Sequence, residues 1–367
     1  MKKKKNSPDI ILLFSVIALS AIGMIMIFSA SPTMALKLGD SFYFIKRHLF
    51  YLLLGFLALY LANCLDLTVL RQRAWIIFII SLGLLLLVYI PGIGQEISGA
   101  SRWIDLGIIS FQPSELMKFT VILLLADLLT KIGEASRTVR GLIIPLVLLG
   151  FVCGLIIAQP DLGTALAIGG AGIIMLFAAN ALMIHLAVLG GLAALGVLFL
   201  SIVSPYRMQR LLTFLDPWKD PQGSGFQVIQ SLLAVGSGGL FGVGLGASRQ
   251  KFFYLPQQFT DFIYAILCEE LGFIGAISVV ILLAIFIGRG VKIAYATADR
   301  FCSLLTIGII GWLGLQATIN IMVVLSLLPT TGIPLPFISY GGTATIINLF
   351  AVGIVLNISK GKAASSK

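Results

Sequence analysis

Residues 10–30 read IILLFSVIALSAIGMIMIFSA, a run without a charged residue that follows the basic opening MKKKK. A membrane-spanning helix needs about 20 apolar residues, so this run is long enough to cross a bilayer. A secretory signal peptide has a shorter apolar region, and cleavage after Ala30 would place bulky Phe28 where a small residue is required. The stretch therefore predicts an uncleaved first transmembrane helix with a cytoplasmic amino terminus.

The composition extends this prediction to the whole chain. Of the 367 residues, 59% are hydrophobic and 11% are charged, whereas about a quarter of the residues in soluble domains are charged. We therefore predict an all-α integral membrane protein of about ten transmembrane helices, in a single domain that covers residues 1–367. The predicted spans are 10–30, 48–65, 74–92, 114–130, 141–158, 164–181, 183–203, 263–288, 302–327 and 342–358.

The net charge of +10 follows the predicted topology and does not indicate a nucleic-acid partner. With the amino terminus inside, short cytoplasmic segments hold 15 of the 25 lysines and arginines, which is the excess that the positive-inside rule describes. These residues are Lys2–Lys5, Arg71, Arg73, Lys131, Arg137, Arg140, Arg289, Lys292, Arg300, Lys360, Lys362 and Lys367. Both termini are then cytoplasmic, and a large extracytoplasmic loop, 204–261, joins the seventh and eighth spans.

The other ten basic residues lie on or near the outer side, against the orientation rule. They are Lys37, Lys46, Arg47, Arg102, Lys118, Arg207, Arg210, Lys219, Arg249 and Lys251. One interpretation is that they bind an anionic substrate group. The alternative is that they are solvated in loops or paired with Asp216 and Asp220.

The cysteines and histidines predict neither a disulfide framework nor a metal site. All four cysteines fall in predicted spans or at their ends: Cys64, Cys153, Cys268 and Cys302. His48 and His185 each lack a Cys or His partner at ligand spacing.

Charged residues at the ends of the predicted spans are candidates for a site, because a charge inside a membrane is costly. Glu115 and Lys118 are three residues apart at the start of the fourth span, so they face each other on one side of the helix. They form either a structural ion pair or a site where Lys118 meets a phosphate. Asp161 lies in the break between the fifth and sixth spans, where we expect it to cap the next helix or to take part in a site.

Asp261 stands at the entrance to the eighth span, between Phe259 and Phe262. Burial by such neighbours would raise its pKa toward the range of a general base, whereas nearby cations would lower it. The alternative, which is compatible with catalysis, is that Asp261 is the N-cap of the helix. Glu269 is expected about 12 Å below Asp261 on the same helix, and structural pairing is the preferred role for Glu269 and Glu270. The glycine-rich stretch 237–246 is not a phosphate-binding loop, since no Lys-Ser/Thr follows it. It predicts tight backbone packing or a re-entrant segment.

Five segments follow one another along the chain: SGASRWIDLGIISFQPSELMK (98–118), AQPDLGTAL (158–166), GSGFQVIQSLLAVGSGGLFGVGLGASRQKFFYLP (223–256), TDFIYAILCEELGFIG (260–275) and PTTGIPLPFISYGG (329–342). Taken together, they resemble the SEDS family of bacterial cell-wall proteins, which includes FtsW, RodA and SpoVE. The resemblance covers nearly the whole chain. Residues 230–256 look more like the FtsW and SpoVE branch than like RodA.

The resemblance implies a peptidoglycan glycosyltransferase that polymerises lipid II at the outer face of the cytoplasmic membrane and releases undecaprenyl pyrophosphate. It also implies a class B penicillin-binding transpeptidase as partner, with membrane proteins of division or sporulation. The family's essential aspartate falls on Asp261, which we expect to act as the general base. The expected substrate-binding residues are Gln112, Glu115 and Ser339, together with the cations Arg102, Lys118, Arg210 and Lys251, alone or with a divalent ion, Mg²⁺ or Mn²⁺.

The chain departs from the family pattern just before Asp261. Relatives commonly carry Glu-x-His before Thr-Asp, where this chain has Gln257, Gln258 and Phe259. Some also carry an acidic residue at the position of Phe253, so the roles of those side chains are not transferred. Two alternatives stay open: a lipid II flippase, whose polar pathway the buried charges would form, and an inactive scaffold that recruits the transpeptidase.

Overall fold

The chain is described by a computed structural model that covers residues 7–90, 92, 94–97, 100–105, 107, 110–252 and 255–361. The described helices are α1 (Ile10–Ala30), α2 (Pro32–Ala35), α3 (Tyr43–Ala62), α4 (Leu67–Gln72), α5 (Ala74–Leu87), α6 (Pro113–Ile132), α7 (Val139–Ala158), α8 (Leu162–Ala178), α9 (Met183–Val203), α10 (Pro205–Leu215), α11 (Phe226–Ser237), α12 (Ile263–Ala296), α13 (Arg300–Val324) and α14 (Gly342–Ser359). Three strands are β1 (Gly94–Ile97), β2 (Ala100–Asp105) and β3 (Ser110–Phe111). The predicted basic residues Lys2–Lys5, Lys362 and Lys367, and the departure at Phe253, lie outside the described residues.

The predicted helical membrane fold is confirmed, with one addition between α5 and α6. There β1, β2 and β3 form an antiparallel sheet in which Ile104 pairs with Gly94 on one side and Phe111 on the other. The spans predicted at 74–92 and 114–130 leave this segment as a loop without strands.

Within the described residues, seven helices are long and apolar enough to span a membrane: α1, α3, α7, α9, α12, α13 and α14. Helices α5 and α8 are shorter, with 14 and 17 residues, and α6 carries four charged side chains within its 20 residues. The count of ten spans therefore stays a prediction. The second span was placed at 48–65, but α3 begins at Tyr43 and includes the charged pair Lys46 and Arg47 in its first turns.

Contacts between helix ends define two ends of the bundle. At the first, called the basic end, Arg289 of α12 pairs with Asp9, the residue that caps α1. Lys360 after α14 donates there to the carbonyl of Asn63 at 2.9 Å. At the other, called the loop end, lie the sheet, α10, α11 and residues 327–341. The basic end collects the described residues that the sequence predicts to be cytoplasmic.

Helix α12 is broken at Gly272, whose φ of 65° and ψ of −165° are not helical. The hydroxyl of Tyr264 donates to the carbonyl of Ala276 at 3.2 Å. In a straight helix these two residues would be about 18 Å apart along the axis, so the first segment, 263–271, folds back at the break. The predicted span at 263–288 is thus wrong as one straight helix.

The break changes the location of Glu269 and Glu270. They were expected deep in a span, but Glu270 accepts a hydrogen bond from Ser29, one residue before the end of α1, at 2.6 Å. The carbonyls of Glu269 and Glu270 accept from the backbone of Val243 and Gly244 at 3.0 and 3.1 Å. The glycine-rich stretch therefore packs directly on the end of segment 263–271, which is the tight backbone packing that the sequence predicts.

The buried side chains of the bundle form one hydrophobic cluster that includes residues from α1 to α14. Helices α13 and α14 lie near its centre, whereas α9 is mostly exposed. Large apolar side chains remain exposed on the outside of most long helices, as expected of surfaces that face lipid. The prediction of a single domain stays a prediction.

Candidate functional site

Asp261 lies at the loop end, in the turn that precedes α12. The prediction that it is the N-cap of that helix is wrong, because the N-cap position is held by Phe262. Its side chain is half-buried and faces the segment 330–341, where a Cβ placed on Gly332 would lie 3.7 Å from the Oδ2 atom of Asp261. Gly332 has a φ of +74°, a conformation that favours glycine. A side chain at position 332 would therefore contact the carboxylate, and glycine keeps the backbone beside it free of one.

The turn that carries Asp261 is held by three consecutive backbone carbonyls. The carbonyl of Phe259 accepts from the amide of Tyr340 at 2.9 Å, and that of Thr260 accepts from the hydroxyl of Ser339 at 2.6 Å. The carbonyl of Asp261 accepts from the Nδ2 of Asn320 at 2.7 Å. Every donor belongs to α13 or to the segment that follows it, so this part of the chain fixes the backbone of the turn.

Burial raises the pKa of Asp261 to about 6, which is well above the usual range of a carboxyl group. The positive charges of Arg210 and Arg102 oppose this increase, and the negative charge of Asp161 adds to it. At pH 7 the carboxylate is therefore mostly deprotonated yet basic enough to accept a proton. The structure thus brings together Asp261 and two of the four predicted cations.

Arg102 and Arg210 reach the site from different elements. Arg102, on β2, donates from Nε to the carbonyl of Gln159 at 3.0 Å and from Nη2 to that of Pro160. Arg210, on α10, donates to the carbonyl of Thr330 at 2.9 Å and stacks its guanidinium over the ring of Tyr206. Both arginines lack a carboxylate partner in the described residues, so each retains positive charge for an anion.

Asp161 caps α8, which confirms one of its two predicted roles. Its Oδ1 accepts from the amide of Thr164 at 3.0 Å, and its Oδ2 accepts from the Thr164 hydroxyl at 2.9 Å. Because its charge also raises the pKa of Asp261, the cap and the electrostatic role are compatible.

Glu115 and Lys118 form a buried ion pair, as their spacing predicts. Lys118 Nζ lies 2.7 Å from Glu115 Oε1, and both side chains are almost fully buried. The ammonium group also donates to Gln316 at 3.1 Å and lies over the ring of Trp312. These contacts support the structural interpretation, and phosphate binding by Lys118 stays a prediction.

Lys251 is likewise held in a buried cluster. Its Nζ lies 3.3 Å from Glu270 Oε1 and 3.4 Å from the hydroxyl of Ser29. Glu269 accepts from the Ser248 hydroxyl and, at 2.9 Å, from the amide of Arg249. Structural pairing of the two glutamates is thus confirmed, whereas pyrophosphate binding by Lys251 stays a prediction.

Gln112 and Ser339 contribute to the architecture of the loop end. The amide of Gln112 donates to the hydroxyl of Thr343 at 3.1 Å, which joins the start of α6 to the start of α14. Ser339 accepts from the amide of Leu335 at 2.8 Å while it donates to Thr260. Direct contact of either residue with a substrate stays a prediction.

The departures from the family pattern have structural roles of their own. Phe259 packs against the rings of Phe44 and Tyr340, with centroids 4.7 and 5.6 Å away. Gln257 has a φ of 55°. The side-chain Nε2 of buried Gln258 donates to the carbonyl of Ala30 at 2.8 Å. The aromatic side chain of Phe259 therefore anchors the turn that precedes Asp261.

A polar cavity of about 190 Å³ lies between α10 and α11, beside Arg210. Its lining residues are Tyr206, Gln209, Arg210, Thr213, Ser224, Gln227, Val228 and Thr330. Amide and hydroxyl groups of this kind donate and accept hydrogen bonds without adding charge. The cavity therefore offers uncharged hydrogen-bonding groups beside the positive charge of Arg210.

Asn320 and Gln316, one turn apart on α13, are site residues that the sequence analysis missed. Asn320 bonds to the carbonyls of Asp261 and Ile333, both at 2.7 Å, and Gln316 donates to that of Pro334 at 2.9 Å. Two amides four residues apart in a predicted span are a signal of a buried polar contact between segments. Their partners become evident only in the fold.

The fold and the site define a multi-pass membrane protein that holds, at one end, a carboxylate of raised pKa within the electrostatic influence of two arginines. The sequence profile of the FtsW/RodA/SpoVE family, described as "Cell cycle protein", matches residues 10–364. This chain belongs to that family, and the resemblance on which the sequence analysis relied is confirmed.

Individual relatives match over nearly their full length. Stage V sporulation protein E of Bacillus subtilis (strain 168) is 45% identical over 362 residues, 98% of this chain and 99% of that protein. A probable peptidoglycan glycosyltransferase FtsW of Geobacter sp. (strain M18) is 43% identical over 96% of each chain. A chain solved in a study of how a peptidoglycan synthase complex coordinates polymerization and crosslinking superimposes with a TM-score of 0.81, at 34% identity, over 97% of this chain and 98% of that chain.

Proposed function

We propose that this protein is a peptidoglycan glycosyltransferase that polymerises lipid II into glycan strands during division or sporulation. The observation that carries the proposal is Asp261, a half-buried carboxylate with a pKa of about 6 that lies beside Arg210 and Arg102. Relatives with the names of a sporulation protein and of probable peptidoglycan glycosyltransferases support it.

In the proposed reaction, an acceptor sugar hydroxyl attacks the anomeric carbon of a lipid-linked donor. The bond from that carbon to the pyrophosphate oxygen breaks as the new glycosidic bond forms, with inversion. Asp261 takes the proton of the acceptor hydroxyl, a role worth about 10²–10⁴-fold in rate. The electron pair leaves with the pyrophosphate, and Arg210 and Arg102 stabilise its charge.

The basic end of the bundle supports the orientation of this site. The described cytoplasmic candidates, such as Arg71, Arg289, Lys292 and Lys360, lie there, and the positive-inside rule assigns that end to the cytoplasm. The loop end with Asp261 then faces outside, across the cytoplasmic membrane. The polar cavity beside Arg210 would take the headgroup while the polyprenyl tail stays in the bilayer.

The partner in this proposal is a class B penicillin-binding transpeptidase that crosslinks the new strands. Support comes from the structural neighbour studied in a synthase complex that couples polymerization with crosslinking. A divalent ion, Mg²⁺ or Mn²⁺, stays a prediction. Among the described residues no three His, Cys, Asp or Glu side chains converge to hold a metal.

The test is a polymerisation assay in proteoliposomes with labelled lipid II, with and without the transpeptidase. The wild-type protein should yield glycan polymer, and Asp261→Ala should abolish it. Lipid II that is flipped without any polymer would instead support the transporter alternative. Neither polymer nor flipped lipid II, with the transpeptidase present, would support the scaffold alternative. The charges that motivated a transporter, in α6 and at Glu269 and Glu270, are each paired in the fold.

A further inference from the structure

Asn320 differs from the other groups that hold the turn before α12, because it bonds to the carbonyl of Asp261 itself. Its side chain is 1% exposed, and its Nδ2 donates at 2.7 Å both to that carbonyl and to the carbonyl of Ile333. An amide nitrogen carries two hydrogens, so both are used. The side chain therefore ties Asp261 to the segment 330–341 with a fixed geometry.

The second bond of Asn320 matters because of where Ile333 lies. Its neighbour Gly332 borders the carboxylate of Asp261. One amide thus sets the distance between the carboxylate and the backbone that faces it. Tyr340 and Ser339 bond to the carbonyls of Phe259 and Thr260. They therefore fix the backbone that leads to Asp261 and do not bond to Asp261 itself.

We propose that Asn320 is a positioning residue for glycosyl transfer, which holds Asp261 against the segment 330–341 at the distance that proton transfer requires. This inference rests on the proposed function. It requires no contact between Asn320 and substrate, because the side chain acts on the backbone and leaves the carboxylate free. A misplacement of about 1 Å in an active site lowers the rate by about 10²-fold, so losing both hydrogen bonds should be visible in kcat.

The chain offers a matched control in Asn357 on α14. Its Nδ2 also donates to two carbonyls, those of Ala62 at 3.2 Å and Leu65 at 2.7 Å. This pair of bonds has the same chemistry but lies at the basic end, far along the bundle from Asp261. A general effect of deleting a buried amide should appear in both variants, whereas loss of positioning should appear only at Asn320.

The experiment compares wild-type protein with Asn320→Leu, Asn320→Ala and Asn357→Leu in the lipid II polymerisation assay. Leucine has a similar volume, and alanine leaves room for water to reach both carbonyls. We expect kcat to fall by about 10- to 100-fold in both Asn320 variants, with KM for lipid II unchanged and with normal kcat in Asn357→Leu.

The pH profile separates positioning from mere stability. Asp261 is faced by Arg210, Arg102 and Asp161, and none of these three residues is substituted in the variants. If the carboxylate of Asp261 moves out into solvent, its pKa falls toward the usual value. The acidic limb of the pH–rate profile then moves below pH 6. A loss of rate with an unchanged limb, or an equal loss in Asn357→Leu, overturns the positioning role, and so does a failure of both Asn320 variants to fold. A wild-type protein that makes no polymer overturns the proposed function and this role with it.

Discussion

Replacing Arg210 by glutamine removes a positive charge that lowers the pKa of Asp261. With a pKa of about 6, roughly nine tenths of Asp261 is deprotonated at pH 7 and one half at pH 6. An opposite charge nearby lowers a carboxyl pKa by about 1–3 units. Taking the smallest value, the variant's pKa becomes about 7, and about one tenth of Asp261 is deprotonated at pH 6. The rate at pH 6, relative to the maximum, should therefore fall about fivefold below the wild-type value.

The measurement is the initial rate of lipid II polymerisation from pH 5 to 8 at substrate concentrations well below KM, because that rate reports the pKa values of the free enzyme. Each protein is scaled to its own value at pH 8. Scaling is needed because loss of Arg210 also lowers the maximum rate if the guanidinium binds pyrophosphate. Arg207→Gln is the matched control, since Arg207 lies one turn away on α10 and bonds to the carbonyl of Ile157. An acidic limb near pH 4 in the wild type, or a limb that moves to lower pH in Arg210→Gln, would refute the assignment of Asp261 as a buried general base.

Three further substitutions test the site through stability. Asp261→Asn should stabilise the protein at pH 7 by up to about 3 kcal/mol, because ionisation of a carboxyl with a raised pKa opposes folding, and the gain should vanish near pH 4 in thermal melts. Gly332→Ala, at a φ of +74°, should lower the free energy of unfolding by about 1–2 kcal/mol and reduce the rate of polymerisation. Gly83→Ala, at a position with open space around it, should lower neither. Lys118→Met should lower the free energy of unfolding by about 3–5 kcal/mol, because it leaves the carboxylate of Glu115 buried and unpaired. Adding Glu115→Gln should restore part of the lost thermal stability.

The sequence predicts those elements that depend on length and hydropathy alone. Spans predicted at 10–30 and 183–203 coincide with α1 and α9, because long uncharged runs have clear limits. The break at Gly272 was missed, since apolar residues continue on both sides of it and only the contact with the glycine-rich stretch forces the turn. The sheet at 94–111 was missed because its strands are short and polar.

The site was predictable where one residue has a distinct chemistry. Asp261 was identified from its place between aromatic residues, and Arg102 and Arg210 from their positions against the orientation rule. The pairing of Lys251 with Glu270 was not predicted, because 19 residues separate them and the fold-back brings them together. Asn320 was missed for the same reason, as its partners lie 59 and 13 residues away.

The glycine-rich stretch has the composition of a flexible linker, yet its contacts predict slow hydrogen exchange. The amides of Val243 and Gly244 donate to the carbonyls of Glu269 and Glu270. A Cβ on Gly242 would lie 2.1 Å from the carbonyl oxygen of Glu270, so the two backbones are in direct contact. Amides bonded in this way exchange only when the surrounding structure opens. Deuterium labelling should therefore find that this part of the outer loop is protected and exchanges at the same rate as the first segment of α12. A flexible Gly-rich tether of the same length would exchange rapidly.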